Sequence, residues 1–144
     1  MAHAESTITI DRSVKEVFDF LMDGDNNPAW RPGVADIKRL TSKPDAVGAK
    51  FKQGMKGPTG RIDAYYEIVK CEPNSLIEFR VTAGPARPTG WYKFVSKGKS
   101  TEVTFILDFQ PKGLAKLMEP MINKQMAEEV ATLSNLKSYL EAKH

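Results

Sequence analysis

The chain has 144 residues, 41% of them hydrophobic and 27% charged, with a formal net charge of +3. These figures predict one folded domain with its own core and exclude wholesale disorder. One cysteine, Cys71, excludes an intrachain disulfide, and no apolar run is long enough to cross a bilayer as a helix.

The opening residues, MAHAESTITI, lack the basic start and apolar run of a secretory signal, so a cytoplasmic location is expected. Ser6 to Asp11 alternate, with Thr7 and Thr9 against Ile8 and Ile10, and predict a half-buried strand. Ser13 and Glu16 then stand at capping-box spacing. Val14, Val17, Phe18, Leu21 and Met22 fall on one helical face, and Gly24 is the expected end of that helix.

The next stretch, NNPAWRPGV, is too irregular for a long helix or a central strand, yet it carries Trp30. Asn27 is expected to cap a one-turn helix with Pro28 in its first position, and Pro32 stops it. So short a helix has little stability of its own. The indole is therefore the expected anchor of the segment.

Val34 to Thr41, Ala49 to Lys56, Arg61 to Cys71, Leu76 to Thr82, Gly90 to Lys97 and Thr101 to Phe109 all read as strands. The breaks between them, including GPTG at 57–60 and GPARPTG at 84–90, are rich in Gly, Pro, Asn or Ser. Connections this short predict antiparallel neighbours in a meander. Lys50, Lys52 and Lys56 form a mild basic stripe on one strand, expected to be a solvated face rather than a nucleic-acid footprint.

From Leu114 to Leu140 apolar residues recur every three or four positions and predict a long helix. Pro120 either kinks it or lies, with Glu119, in its first turn. The unbroken stripe predicts the most buried helix of the fold, with Met126, Val130 and Leu133 against the sheet. Lys137, Lys143 and His144 are expected to complement its C-terminal dipole.

The order is strand, helix, short helix, six strands, long helix. In that order, and in three stretches, the chain resembles the SRPBCC superfamily of START-like, birch-pollen-allergen-like helix-grip proteins. Its likeness is greatest to small bacterial members of the polyketide cyclase/dehydrase type. The stretches are ITIDRSVKEVFDFLMDGDNNPAWRPGV, YEIVKCEPNSLIEFRV and LSNLKSYLEAK. The resemblance implies an α+β helix-grip fold. In it a seven-stranded curved antiparallel sheet wraps around the long C-terminal helix, and two short helices lie between strands 1 and 2. It also implies a cavity between sheet and helix for an apolar or aromatic small molecule. The superfamily's activities range from lipid transfer to polyketide aromatisation and chaperone activation, so fold alone does not decide function.

Period-two reading gives the strand face turned toward the helix. On it fall Phe51, Gln53 and Met55; Ile62, Ala64, Tyr66 and Ile68; Ile77, Phe79 and Val81; Tyr92 and Phe94; and Val103, Phe105, Leu107 and Phe109. The candidate ligand-binding residues are Phe51, Met55, Phe79, Phe94 and Phe105 as apolar wall, with Gln53, Tyr66 and Tyr92 as polar handles. In the fold the resemblance implies, Trp30 is expected at the mouth between the sheet and the start of the long helix, as gate, pocket wall or plug, and Met118, Met121 and Met126 are expected as adaptable helix contacts.

No catalytic residue, metal site or cofactor is expected. The two histidines, His3 and His144, stand at ends expected to fray, which leaves no internal histidine for a triad or a His-rich metal site. Cys71 reads as a small hydrophobe, and Asp63, Glu67, Glu78 and Arg80 as outward-facing strand charges. Arg31 and Asp36 are expected to flank the entrance, where they either steer a polar ligand tail or, as the leading expectation, pair on the surface. The leading expectation is a non-enzymatic carrier or sensor of a small hydrophobic or aromatic molecule. The alternatives are a cofactor-independent cyclase/aromatase-like enzyme and a protein-interaction module of the chaperone-activator kind.

Overall fold

The computed structural model describes residues 2–43, 45–57, 60–83, 87–110 and 113–142. The centres of the expected turns at 57–60 and 84–90, the terminal Lys143 and His144, and the side chain of Leu114 lie outside the described residues.

Seven strands form one antiparallel sheet: β1 (Ala2–Ile10), β2 (Val34–Arg39), β3 (Lys50–Gly57), β4 (Gly60–Glu72), β5 (Leu76–Ala83), β6 (Thr89–Ser96) and β7 (Thr101–Phe109). Strands β2 to β7 are a meander, and β1 closes onto β7, giving the order β1-β7-β6-β5-β4-β3-β2. The connections behave as their residues dictate. Asn74, at φ 60, takes the left-handed position in the β4–β5 turn, and Gly98, at φ 81, does so between β6 and β7.

Helix α1 (Val14–Met22) and the one-turn α2 (Asn27–Trp30) lie between β1 and β2. Ser13 caps α1 by accepting from the Glu16 N–H. Gly24 does not end α1 in a left-handed cap; Asp23 stands there in an extended conformation, and Gly24 opens a short 3-10 turn. Its lack of a side chain serves a close approach instead. A Cβ at Gly24 would lie 2.5 Å from the Tyr66 hydroxyl and 2.6 Å from the Phe51 ring. Phe51 is fully buried and has no room to yield. Gly24→Ala is expected to cost about 1–3 kcal/mol by overpacking, read as a lowered urea midpoint at unchanged slope.

The C-terminal segment forms α3 (Glu119–Val130) and α4 (Leu133–Ala142). Pro120 sits in the first turn of α3, where its missing N–H costs nothing. At Ala131–Thr132 the long helix tightens by one turn: the N–H groups of Thr132 and Asn135 donate to carbonyls three residues back.

Met126, Val130 and Leu133 are buried, as the stripe predicts, and both helices lie against β1. They are not the most buried helix, however. Five of the nine residues of α1 are buried, because that helix is held from two sides. Phe18 meets Phe94 of the sheet edge-on at 5.3 Å, and Phe20 meets Tyr139 of α4 at 5.4 Å. Lys137, expected to serve the helix dipole, donates instead to the Thr9 carbonyl and to Glu141, tying α4 to β1.

Strand β1 is longer than the alternation implied, because Ala2 and Ala4 continue the buried face. His3 is therefore not at a frayed end. It pairs with Asp108 across the ladder, and its ring stands between the carboxylates of Glu5 and Asp108, whose hydrogen bonds raise its pKa. This group lies on the outer face, away from the buried Ala2 and Ala4.

Candidate functional site

The inward faces of β3 to β7, together with α1, α2 and α3, enclose a cavity of about 260 Å³. Its wall is mostly apolar, with Met55, Phe79, Phe105, Leu107, Ile122 and Met126 among the residues that form it. Two bulges interrupt the β4–β5 ladder. One, opposite Tyr65 and Tyr66, places the extra residue, Thr82, on β5. The other, between Ile68 and Lys70, lets Ile68 and Cys71 both turn toward the core. On β6, Gly90 makes room for Phe79: a Cβ there would lie 2.2 Å from the Phe79 ring.

Of the twelve candidate residues, the cavity wall brings together Gln53, Met55, Tyr66, Phe79, Tyr92, Phe105 and Met126. Phe51 and Phe94 face inward but stay in the solid core behind it, Phe51 stacked on Tyr66 at 5.0 Å and Phe94 against Phe18. Met118 and Met121 are about half exposed and lie off the wall. Met121 precedes Ile122 by one residue, about 100° around the helix, so the two cannot share the buried stripe.

Trp30 is 2% exposed and also lies off the wall. It packs edge-on to Tyr92 and Phe105, at 6.3 and 6.2 Å. Helix α2 rests on β2 and α4, not at a mouth beside the start of α3. The indole is thus a plug in the core, and the cavity-facing residues of this segment are its neighbours, Asn27 and Arg31.

Those two residues, four apart and so on one side of a helical turn, carry the polar end of the site. Asn27 is not the cap of α2; Asn26 stands there, without a side-chain cap. The Asn27 side chain is buried and its amide donates to Gln53 Oε1 at 2.9 Å and to the Tyr66 hydroxyl at 3.0 Å.

Arg31, expected on the surface with Asp36, is 8% exposed. Its Nε donates to Glu129 Oε1, its Nη1 reaches Gln53 Oε1 at 3.5 Å, and its guanidinium lies 5.9 Å from the centre of the Trp30 ring. Burial disfavours the guanidinium charge, but the Glu129 carboxylate outweighs it and holds the arginine's pKa up. Asp36 pairs instead with Arg61 on the outer face, where Asp63 also meets Arg61 and Lys52. Lys52 of the β3 basic stripe thus meets an acid.

Sequence reasoning missed Asn27, Arg31 and Glu129 as one cluster. The signal for Glu129 was present: it stands three residues after Met126 and seven after Ile122, a charge on the apolar stripe. Asn27 and Arg31 were hidden by roles that loop residues ordinarily take, cap and surface pair.

The two tyrosines respond to the same environment. Burial raises the pKa of Tyr66, with Tyr92 adding to it and the Asn27 hydrogen bond opposing. Burial raises that of Tyr92 too, against the pull of Arg31. Both hydroxyls therefore remain protonated donors near neutrality. A phenol whose folded pKa lies above its unfolded value contributes stability below about pH 10, lost as pH rises beyond it. Thermal midpoints are expected to fall steeply above about pH 10, and less steeply in a Tyr66→Phe/Tyr92→Phe variant.

Among the described residues no cluster of His, Cys, Asp or Glu has the geometry of a metal site, and no helix is long and apolar enough to cross a membrane.

A curved seven-stranded antiparallel sheet gripping a long C-terminal helix around a cavity defines a helix-grip domain of the SRPBCC superfamily. Residues 1–141 match the polyketide cyclase / dehydrase and lipid transport family, and the chain belongs to it. No curated protein sequence matches the chain.

Similar folds include TTHA0849 of Thermus thermophilus, 14% identical, with 97% of each chain covered and a TM-score of 0.80. A START superfamily protein of Mycobacterium smegmatis is 18% identical, covering 99% of this chain and 96% of its own, at 0.77. The Zhui aromatase/cyclase of Streptomyces sp. R1128 is 13% identical, covering 97% and 92%, at 0.73. At these identities the likeness is one of fold.

Proposed function

We propose that the chain binds a small hydrophobic or aromatic molecule in this cavity and carries or senses it without chemical change. The observation that supports this reading is the state of the polar groups in the wall. Arg31 and Glu129 neutralise each other, Asn27 is spent on Gln53 and Tyr66, and both tyrosines are protonated. Apolar walls with a few placed donors suit orientation of a ligand. Burying apolar ligand surface at about 25 cal/mol per Å² supplies the affinity.

A second reading, a cofactor-independent cyclase or aromatase, draws on the convergence of Asn27, Gln53, Tyr66, Tyr92, Arg31 and Glu129 at one end of the cavity. It also draws on the structural likeness to the Zhui aromatase/cyclase. In that reading the tyrosines polarise a ligand carbonyl, and Glu129 takes a proton only after leaving Arg31. An open cavity lends no support to a protein-interaction module.

Native mass spectrometry of freshly purified protein, then fluorescence displacement titration with mass analysis of the recovered ligand, tests the choice. Binding is expected with the ligand's mass unchanged, weakened by about 1 kcal/mol in Tyr92→Phe. An altered mass, with conversion abolished by Tyr92→Phe, establishes the enzyme instead.

A further inference from the structure

We propose that Glu129 determines the specificity of the cavity: by occupying Arg31 it reserves the polar end for an uncharged ligand oxygen, a ketone or quinone carbonyl, and turns carboxylates away. This rests on the reading of the cavity as a ligand site.

Several hydrogen-bond donors of the wall remain open. Gln53 Oε1 already accepts from Asn27 at 2.9 Å and lies 3.5 Å from Arg31 Nη1. The Tyr66 oxygen accepts from Asn27, which leaves its own O–H to donate. Tyr92 lines the cavity, and its hydroxyl has no hydrogen-bond partner among the described residues. Gln53 Nε2 has only the Met55 sulfur, 3.9 Å away, a weak acceptor. These open donors are satisfied by a ligand that brings an acceptor oxygen.

Charge then decides which acceptors. Arg31, with its side chain 10% exposed, is the one cation among the described residues of the wall, and Glu129 already compensates it. A ligand carboxylate adds an unpaired negative charge beside Glu129 in a poorly solvated space. A neutral carbonyl meets the donors without that cost. The same arginine, freed of Glu129, becomes an anchor for an anion.

Calorimetric titration of the full chain at pH 7 with three matched probes tests this: naphthalene, 2-acetylnaphthalene and 2-naphthoate, the last ionised at that pH. The ketone is expected to bind at least about fivefold more tightly than naphthalene, the worth of one neutral hydrogen bond. Naphthoate is expected at least about tenfold weaker than the ketone. Glu129→Gln is expected to reverse that order by strengthening naphthoate at least about tenfold. Naphthoate binding the native protein as tightly as the ketone overturns the inference while the cavity remains a ligand site. Equal affinity for naphthalene and the ketone does the same. No binding of any probe overturns both. Should Glu129→Gln fail to fold, the order of affinities in the native protein decides alone.

Discussion

Deleting the chain from Glu119 onward is expected to abolish cooperative unfolding. That deletion removes Ile122, Met126, Val130, Leu133, Leu136 and Leu140, none more than 8% exposed. Burial of side chains this size contributes about 1.5–3 kcal/mol each, together comparable with the roughly 5–15 kcal/mol net stability of a whole domain. The deletion also strips the partners of β1: the Val130 carbonyl that accepts from Ser6, and Lys137, which holds the Thr9 carbonyl. A sheet with its inner face exposed has nothing to fold around. Circular dichroism and calorimetry of the truncated chain are expected to show no sharp transition. A cooperative melt near the full-length temperature refutes the central place given to the C-terminal helices.

Replacing Trp30 has the next largest expected effect, and two substitutions separate its causes. Trp30→Ala is expected to cost about 3–5 kcal/mol, the range for emptying a large buried aromatic site. Trp30→Phe is expected to cost about 1–2 kcal/mol, well below that. The difference follows from the ring that phenylalanine retains, because the indole nitrogen contributes no bond in either case. Nε1 is buried and has no hydrogen-bond partner among the described residues, so phenylalanine loses volume but no hydrogen bond. Urea denaturation of both variants measures this. Equal costs place the energy of Trp30 in a polar contact rather than in its packing on Tyr92 and Phe105. Ligand exchange is expected to change little in Trp30→Phe, because the indole stands behind the cavity wall and not in its entrance.

Arg39 explains why so short a helix as α2 can hold Asn27 and Arg31 in place. Its guanidinium donates to Asp23 at 2.9 Å and Asp25 at 3.1 Å, pairs with Asp45, and lies 5.0 Å from the centre of the Phe51 ring. The turn that precedes α2 is thereby tied to β2 and to the loop after it. Together with the buried Trp30 on the other side, this network supplies the order that four helical residues cannot generate themselves.

What the sequence determined by itself is what repeats along it. Alternation placed six of the seven strands to within a residue or two, and only β1 extended further, because alanines carry a weak hydrophobic signal. Capping-box spacing located α1, and the three-and-four stripe located the C-terminal helices, since burial on one side of a regular element imposes its period on the residues. The same period put Gln53, Tyr66, Phe79, Tyr92 and Phe105 on one face, where the cavity wall has them. Tertiary structure alone decided what each side chain meets. It turned Asn27 from a cap into a buried donor and Arg31 from a surface charge into the partner of Glu129, 98 residues away. It also gave Gly24 and Gly90 their purpose as clearance for Tyr66, Phe51 and Phe79. Periodicity reports which way a residue points relative to its own element. The polar end of this site is built where α2, β3, β4, β6 and α3 converge, and its pairings depend on distances between elements that no local pattern records.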